Sequence, residues 1–361
     1  LLGETDQTYY YRNDSNCFKD PTCVLLLLQS VSWNAPLRTA CSSQTLEPKQ
    51  MKWPSTFQES SKRFVHQVPA TEFVAFTRSF HGTTMGALAL TSEERFHEPF
   101  ELVMPSVTFV QYESIEEAKR TIQKGKTTAV FVEPVQGEGG IYTATKDFLQ
   151  ALRTFCDDAG ALLVFDKIQC GVGRTGHLWA HEAFDVEPDI MTLAQPLAGA
   201  LPIGVVLLTE RVSAAIASGF RYHRSTFGAI ASGYQHYHRN TFSVNTLVSQ
   251  ATLAVLHKIH EHGFLASVRK KGFYLKELLN EKLQGNPHVK EVRGIGLMVS
   301  FSPRRRLLRS RASGARCWEG TCGWLEPSLI ISEKELKQAA EIIVECLPRR
   351  RLNVLLRLWQ N

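Results

Sequence analysis

Between residues 71 and 209 the chain is punctuated by five short apolar runs, TEFVAF, TTAVFVEP, ALLVFD, DIMTLA and GVVLLT, each bounded by glycine, proline or charge. Runs of this length without polar alternation are those of strands buried on both faces, and such strands need helices to cover them. Helical stretches lie between the runs. One of them, KDFLQALRTFCDDAG from Lys146, ends on Gly160, the residue that best accepts the left-handed backbone at a helix C-terminus. Strands that alternate with helices predict an α/β fold with a mainly parallel sheet covered on both sides.

The pattern changes after Asn245. TLVSQATLAVLHKIHEH and FLASVRKKGFYLKELLNEKLQG read as helices, HVKEVRGIGLMVSF as a strand, and SEKE at Ser332 as the capping box that opens a last helix. The sequence therefore predicts a large α/β domain over 71–262 and a smaller C-terminal α+β domain over 263–361. Residues 1–70 show no sustained period and stay unassigned. A near-copy, AIASGFRYHRSTFG followed by AIASGYQHYHRNTFS, reads as a local duplication that lengthens one loop within 215–243.

The excess of 41 Lys and Arg over 35 Asp and Glu rests on two arginine-rich runs, 303–316 and 348–361. Without them the chain is mildly acidic, so no nucleic-acid partner is expected. The eight cysteines lack the tight pairs of a zinc site (Cys17 and Cys23, Cys317 and Cys322 are too widely spaced) and read as mostly reduced thiols of an intracellular protein. The histidines of HKIHEHG (His257, His260, His262) have no carboxylate or cysteine at matching spacing, so no metal site is expected. The longest apolar run, VLLLLQSV from Val24, is too short to cross a bilayer, and no membrane partner is expected.

In a parallel α/β sheet the chemistry gathers at the carboxyl ends of the strands. The segments that follow those ends are FHGTTMG, EPVQGEGG, DKIQCGVGRTG and AQPLAG. Each alone is a plain turn. Together they closely resemble the class III, ornithine-type aminotransferases that use pyridoxal phosphate, nearly continuously from Thr71 to Ser300 and again in LIISEKELKQAAEIIVECLP from Leu329. The resemblance implies a fold-type-I pyridoxal-phosphate-dependent transferase whose N-terminal part is missing or replaced here, since the family's Ser-Gly-Thr phosphate loop is not found in residues 1–70. It implies amino transfer between N-acetylornithine, or a similar ω-amine, and 2-oxoglutarate. It also allows a mitochondrial or plastid location.

The same resemblance assigns roles by position. Asp166 would sit under the pyridine nitrogen and keep it protonated, Gln169 would bond the ring's phenolic oxygen, and Phe80, with His81 beside it, would stack on the ring. Thr241 would reach the cofactor phosphate of a neighbouring subunit, which implies a homodimer. Glu133 and Glu138 would lie on the substrate side. Four positions depart from the family. Gln195 stands where a lysine forms the Schiff base with the cofactor aldehyde and shuttles the substrate proton, tasks that a carboxamide without a basic nitrogen cannot perform. Thr83 replaces an arginine that grips a substrate carboxylate, and Trp324 precedes LEPS where a second such arginine is expected, leaving Glu138 without that partner. Lys167 replaces a glutamate beside Asp166, on a different strand from the missing lysine. The expectation is an aminotransferase homologue with impaired or absent activity; the alternative is a non-catalytic relative or partner subunit that keeps the fold.

Overall fold

The computed structural model describes residues 70–82, 85–93, 107–199, 201, 203–209, 211–212, 246–287, 289–303 and 323–346. Residues 1–69, Thr83, Thr241, the duplicated stretch 215–243 and nearly all of both arginine-rich runs lie outside them. The chain order begins β1 (Glu72–Phe76), α1 (Met85–Leu90), β2 (Val107–Val110), α2 (Ile115–Thr121) and β3 (Thr127–Val132). A small hairpin, β4 (Val135–Gln136) and β5 (Tyr142–Thr143), leads to α3 (Lys146–Ala159) and β6 (Leu162–Asp166). Then come β7 (Ile190–Leu193), β8 (Val205–Leu208), α4 (Thr246–His260) and α5 (Phe264–Leu283). The last elements are β9 (Val289–Ile295), β10 (Met298–Pro303), β11 (Gly323–Leu325) and α6 (Glu333–Cys346).

Six strands form the main sheet in the order β2-β1-β3-β6-β7-β8. All neighbours are parallel except β8, which runs antiparallel to β7. Because side chains alternate along a strand, the sheet has two separate interiors. On one face Val74, Phe76, Val132, Phe165 and Leu193 meet Phe148 and Leu152 of α3 and Leu256 of α4. On the other, Phe73, Ala75, Phe131, Val164 and Ile190 form a smaller cluster. Fully burying each such side chain contributes roughly 1.5–3 kcal/mol. β2 was not legible as a strand: it is a sheet edge, and most of its residues are only half buried or exposed.

The predicted caps at Gly160 and Ser332 are realised, and the structure adds an N-cap at Thr145. The Thr145 hydroxyl accepts from the Phe148 amide at 3.2 Å, and Gly160 ends α3 with φ 72°. At α6 the Ser332 hydroxyl accepts from Glu335 N at 3.2 Å while the Ser332 amide donates back to the Glu335 carboxylate at 2.8 Å.

One predicted element is corrected. HVKEVRGIGLMVSF is two antiparallel strands, β9 and β10, turning at Gly296 with φ 55°. A conformation that only glycine adopts easily lies inside an otherwise uninterrupted strand pattern. β11 completes this three-stranded sheet, and α5 and α6 cover it with Val268, Leu275, Leu279, Leu336 and Ala340. The hairpin is tied to the loop after β6. Leu297 N donates to the Arg174 carbonyl at 3.0 Å, and the Arg174 guanidinium donates to the Pro327 carbonyl.

Candidate active site

The carboxyl ends of β1, β3, β6 and β7 bring the predicted residues to one edge of the sheet. Asp166 closes β6 opposite Thr192 of β7, and three donors converge on its carboxylate. Thr192 Oγ1 donates to Oδ1 at 3.0 Å, the Ile168 amide donates to the same oxygen at 3.1 Å, and His81 Nδ1 lies 2.8 Å from Oδ2. The carboxylate is thereby fixed in orientation, while its oxygens keep lone-pair capacity for one further donor. Burial pulls the His81 pKa down, but the hydrogen bond to Asp166 and the charges of Asp166 and Glu133 outweigh it and leave the imidazole above its ordinary value. His81 Nε2 is buried and has no hydrogen-bond partner among the described residues.

Glu133 directly follows β3, two residues on from Phe131, and is 5% exposed. Its Oε1 accepts from the Phe80 amide at 2.9 Å and its Oε2 from the Gly137 amide at 3.3 Å. Burial, with the nearby Asp166 charge, raises its carboxyl to about 7, against the opposing influence of His81 and the two amides. Gly137 lies hard against Gln169: a Cβ at that position would overlap the Gln169 amide. Gln169 Oε1 is itself buried without a partner among the described residues. Glu138 follows in the turn between β4 and β5, also buried. Trp324 lies on β11 and packs against the buried cluster formed by Val135, Ile141, Cys170, Ala180 and Met298.

Lys167 is adjacent to Asp166 in sequence and remote from it in chemistry. Alternation sends it to the other face of the sheet, where it is fully buried with its Nζ against His181 Nδ1, 3.2 Å from Met191 Sδ and 5.5 Å from the centre of the Phe165 ring. Burial lowers its amine from 10.5 to about 7. Gln195 opens a short 3-10 turn, Gln195–Ala198, two residues beyond the end of β7. The sequence reading missed two contacts: Thr192, which alternation along DIMTLA puts on the face of Asp166, and His181, for which no local signal exists. His257, His260 and His262 are exposed at the end of α4.

The profile of the aminotransferase class-III family matches residues 41–347, and the chain belongs to that family. The match takes in residues 41–70, which the sequence reading had left outside family-like sequence. A mitochondrial acetylornithine aminotransferase of Alnus glutinosa is 50% identical over 357 residues, covering 96% of this chain and 75% of the relative. The acetylornithine aminotransferase of Methanocaldococcus jannaschii is 40% identical over 228 residues. The chain spans about half the length of some curated relatives, 53% of the Methanocaldococcus protein and 47% of one from Dictyostelium discoideum. Among solved structures, the ornithine aminotransferase of Toxoplasma gondii, described with partial occupancy of PLP at its active site, aligns with TM-score 0.73 at 19% identity. That alignment covers 95% of this chain and 78% of the other. A transaminase from the marine bacterium Virgibacillus aligns with the same score at 20% identity, covering 93% and 80%. At such identities these alignments speak for the fold alone: the fold-type-I architecture shared by pyridoxal-phosphate enzymes.

Pyridoxal phosphate is the cofactor of this family, and the ring end of the site fits it. Asp166 offers an oriented carboxylate, Gln169 a buried orphan amide atom, and Gly137 the lack of a side chain that lets the two segments approach. No helix among the described residues is long and apolar enough to cross a membrane.

Proposed function

We propose that this chain is an acetylornithine-aminotransferase-like relative that retains the ring-binding half of its cofactor site and has lost the covalent half. As it stands, it does not transaminate. When bound, pyridoxal phosphate supplies an electron-accepting ring. In this chain Asp166 would hold the protonated ring nitrogen, with Thr192, Ile168 N and His81 fixing the carboxylate. Gln169 would meet the ring oxygen and Phe80 its face. The ancestral reaction is amino transfer between N-acetylornithine or a similar ω-amine and 2-oxoglutarate. Thr83 and Trp324, standing where arginines grip carboxylates, leave both substrates weakly held. A homodimer in which Thr241 serves the neighbouring subunit is part of this reading, as is the division into a large and a small domain near residue 262.

One observation carries the proposal. Gln195 follows β7 at the edge where Asp166 lies, and the nearest lysine in sequence, Lys167, faces the opposite side of the sheet against His181 and Met191. A carboxamide neither bonds an aldehyde nor abstracts a proton, and a lysine behind the sheet cannot stand in for it. The test is borohydride reduction of the purified chain mixed with pyridoxal phosphate, followed by peptide mapping. No adduct is expected within residues 190–204 of the unaltered chain, and a stoichiometric one after Gln195→Lys. Robust transamination by the unaltered chain would overturn the reading.

A further inference from the structure

One buried carboxylate joins two walls of the site. Glu133 receives the Phe80 amide on one oxygen and the Gly137 amide on the other. Phe80 lies beyond β1, while Gly137 lies in the turn whose missing side chain makes room for the Gln169 amide. The glutamate is itself anchored at the end of β3, its backbone carbonyl accepting from the buried Tyr112 hydroxyl at 2.9 Å. We infer that Glu133 is a positioning residue, a latch that sets the stacking wall at Phe80 and the hydrogen-bonding wall at Gln169 together, rather than a residue that contacts substrate.

The inference rests on the ring-site reading given above, but the latch itself is a property of the ligand-free chain. An ionised carboxylate can satisfy both amides at once. Proton uptake turns one oxygen into a donor, and one amide loses its partner. The groups that face this carboxylate are His81 after β1, Asp166 at the end of β6, Tyr112 after β2 and Cys170 after β6. His81 favours the ionised form and Asp166 opposes it, so the latch shares its proton balance with the pair that would hold the ring nitrogen. Its holding strength therefore changes close to neutral pH, with the carboxyl at about 7.

Hydrogen exchange of the full chain without ligand tests the latch directly. In Glu133→Gln, whose carboxamide keeps only one acceptor oxygen, protection of one of the Phe80 and Gly137 amides is expected to fall by roughly tenfold or more, the loss of one charge-assisted hydrogen bond. The Asp189 amide, remote from the latch, should stay unchanged. In the parent, a loss of the same kind relative to Asp189 should appear at one of the two amides as pH falls through about 7, and in Glu133→Gln that pH response should vanish. Unchanged protection at both amides, or a loss spread evenly to Asp189, overturns the latch. Titration with pyridoxamine 5′-phosphate, which needs no covalent bond, then separates the two readings. If Asp166→Asn weakens binding and Glu133→Gln does not, the ring site stands and the latch falls. If exchange responds as expected but Asp166→Asn leaves binding unchanged, the latch stands and the ring-site reading falls.

Discussion

Replacing Lys167 by methionine should stabilise the protein, and by an amount that depends on pH. The amine is fully buried against His181, Met191 and the Phe165 ring, and burial lowers its pKa from 10.5 to about 7. The unfolded chain keeps the proton up to its ordinary value, so between about 7 and 10.5 it binds one proton more than the folded chain. Stability from this group is complete above 10.5, is lost as pH falls toward about 7, and is flat below it, where both states are protonated. At 1.36 kcal/mol per pKa unit, the parent loses about 4 kcal/mol near pH 7.5 relative to an amine that stays neutral throughout. Between about pH 7.5 and about pH 9 it recovers roughly 2 kcal/mol of that. Methionine fills the same space without a titrating group. Urea unfolding of parent and Lys167→Met at the two pH values measures the difference, in which the titrations of groups remote from Lys167 cancel. The variant should be more stable at the lower pH, and the gap should shrink by about 2 kcal/mol at the higher. Parallel curves, or a variant less stable at both pH values, would refute the claim that the amine is held neutral behind the sheet.

Two further outcomes follow from backbone geometry. Gly272→Ala places a Cβ into the Gly296 carbonyl, where α5 crosses the turn of the β9-β10 hairpin. Backbone cannot yield as a side chain does, so thermal unfolding should show a loss of several kcal/mol, roughly 3 or more. Thr145→Ala removes the hydroxyl that caps α3 and also the bond from that hydroxyl to Glu113 at 2.8 Å. Denaturant unfolding should register a loss of about 1 kcal/mol, with α3 otherwise intact.

Elements whose cause is local were legible in the chain. α3 was readable from its apolar period and its terminal Gly160, and α6 from Ser332 and Glu335, because a cap is an interaction among residues three positions apart. The central strands were legible because burial on both faces leaves them predominantly apolar, with threonine the only polar residue type in β3 and β7. The strand ends also announced the family through FHG, EPVQGEGG and DKIQCGVGRTG, and marked Gln195 as a departure from it. β2 and the turn at Gly296 were not legible. An edge strand lacks the apolar signature, and one glycine inside a strand pattern does not say whether the chain bends there.

The sequence by itself determined the class of fold, the caps and the family. It could do so because each depends on short-range pattern or on segments standing in a fixed order. Only the tertiary structure decided which residues share a site. His81 meets Asp166 across 85 positions and Glu133 holds the Phe80 amide across 53, while Lys167, next to Asp166 in the chain, is turned to the other side of the sheet. The physical reason is the two-residue period of the strand: it separates neighbours onto opposite faces, while parallel pairing gathers distant strand ends along one edge.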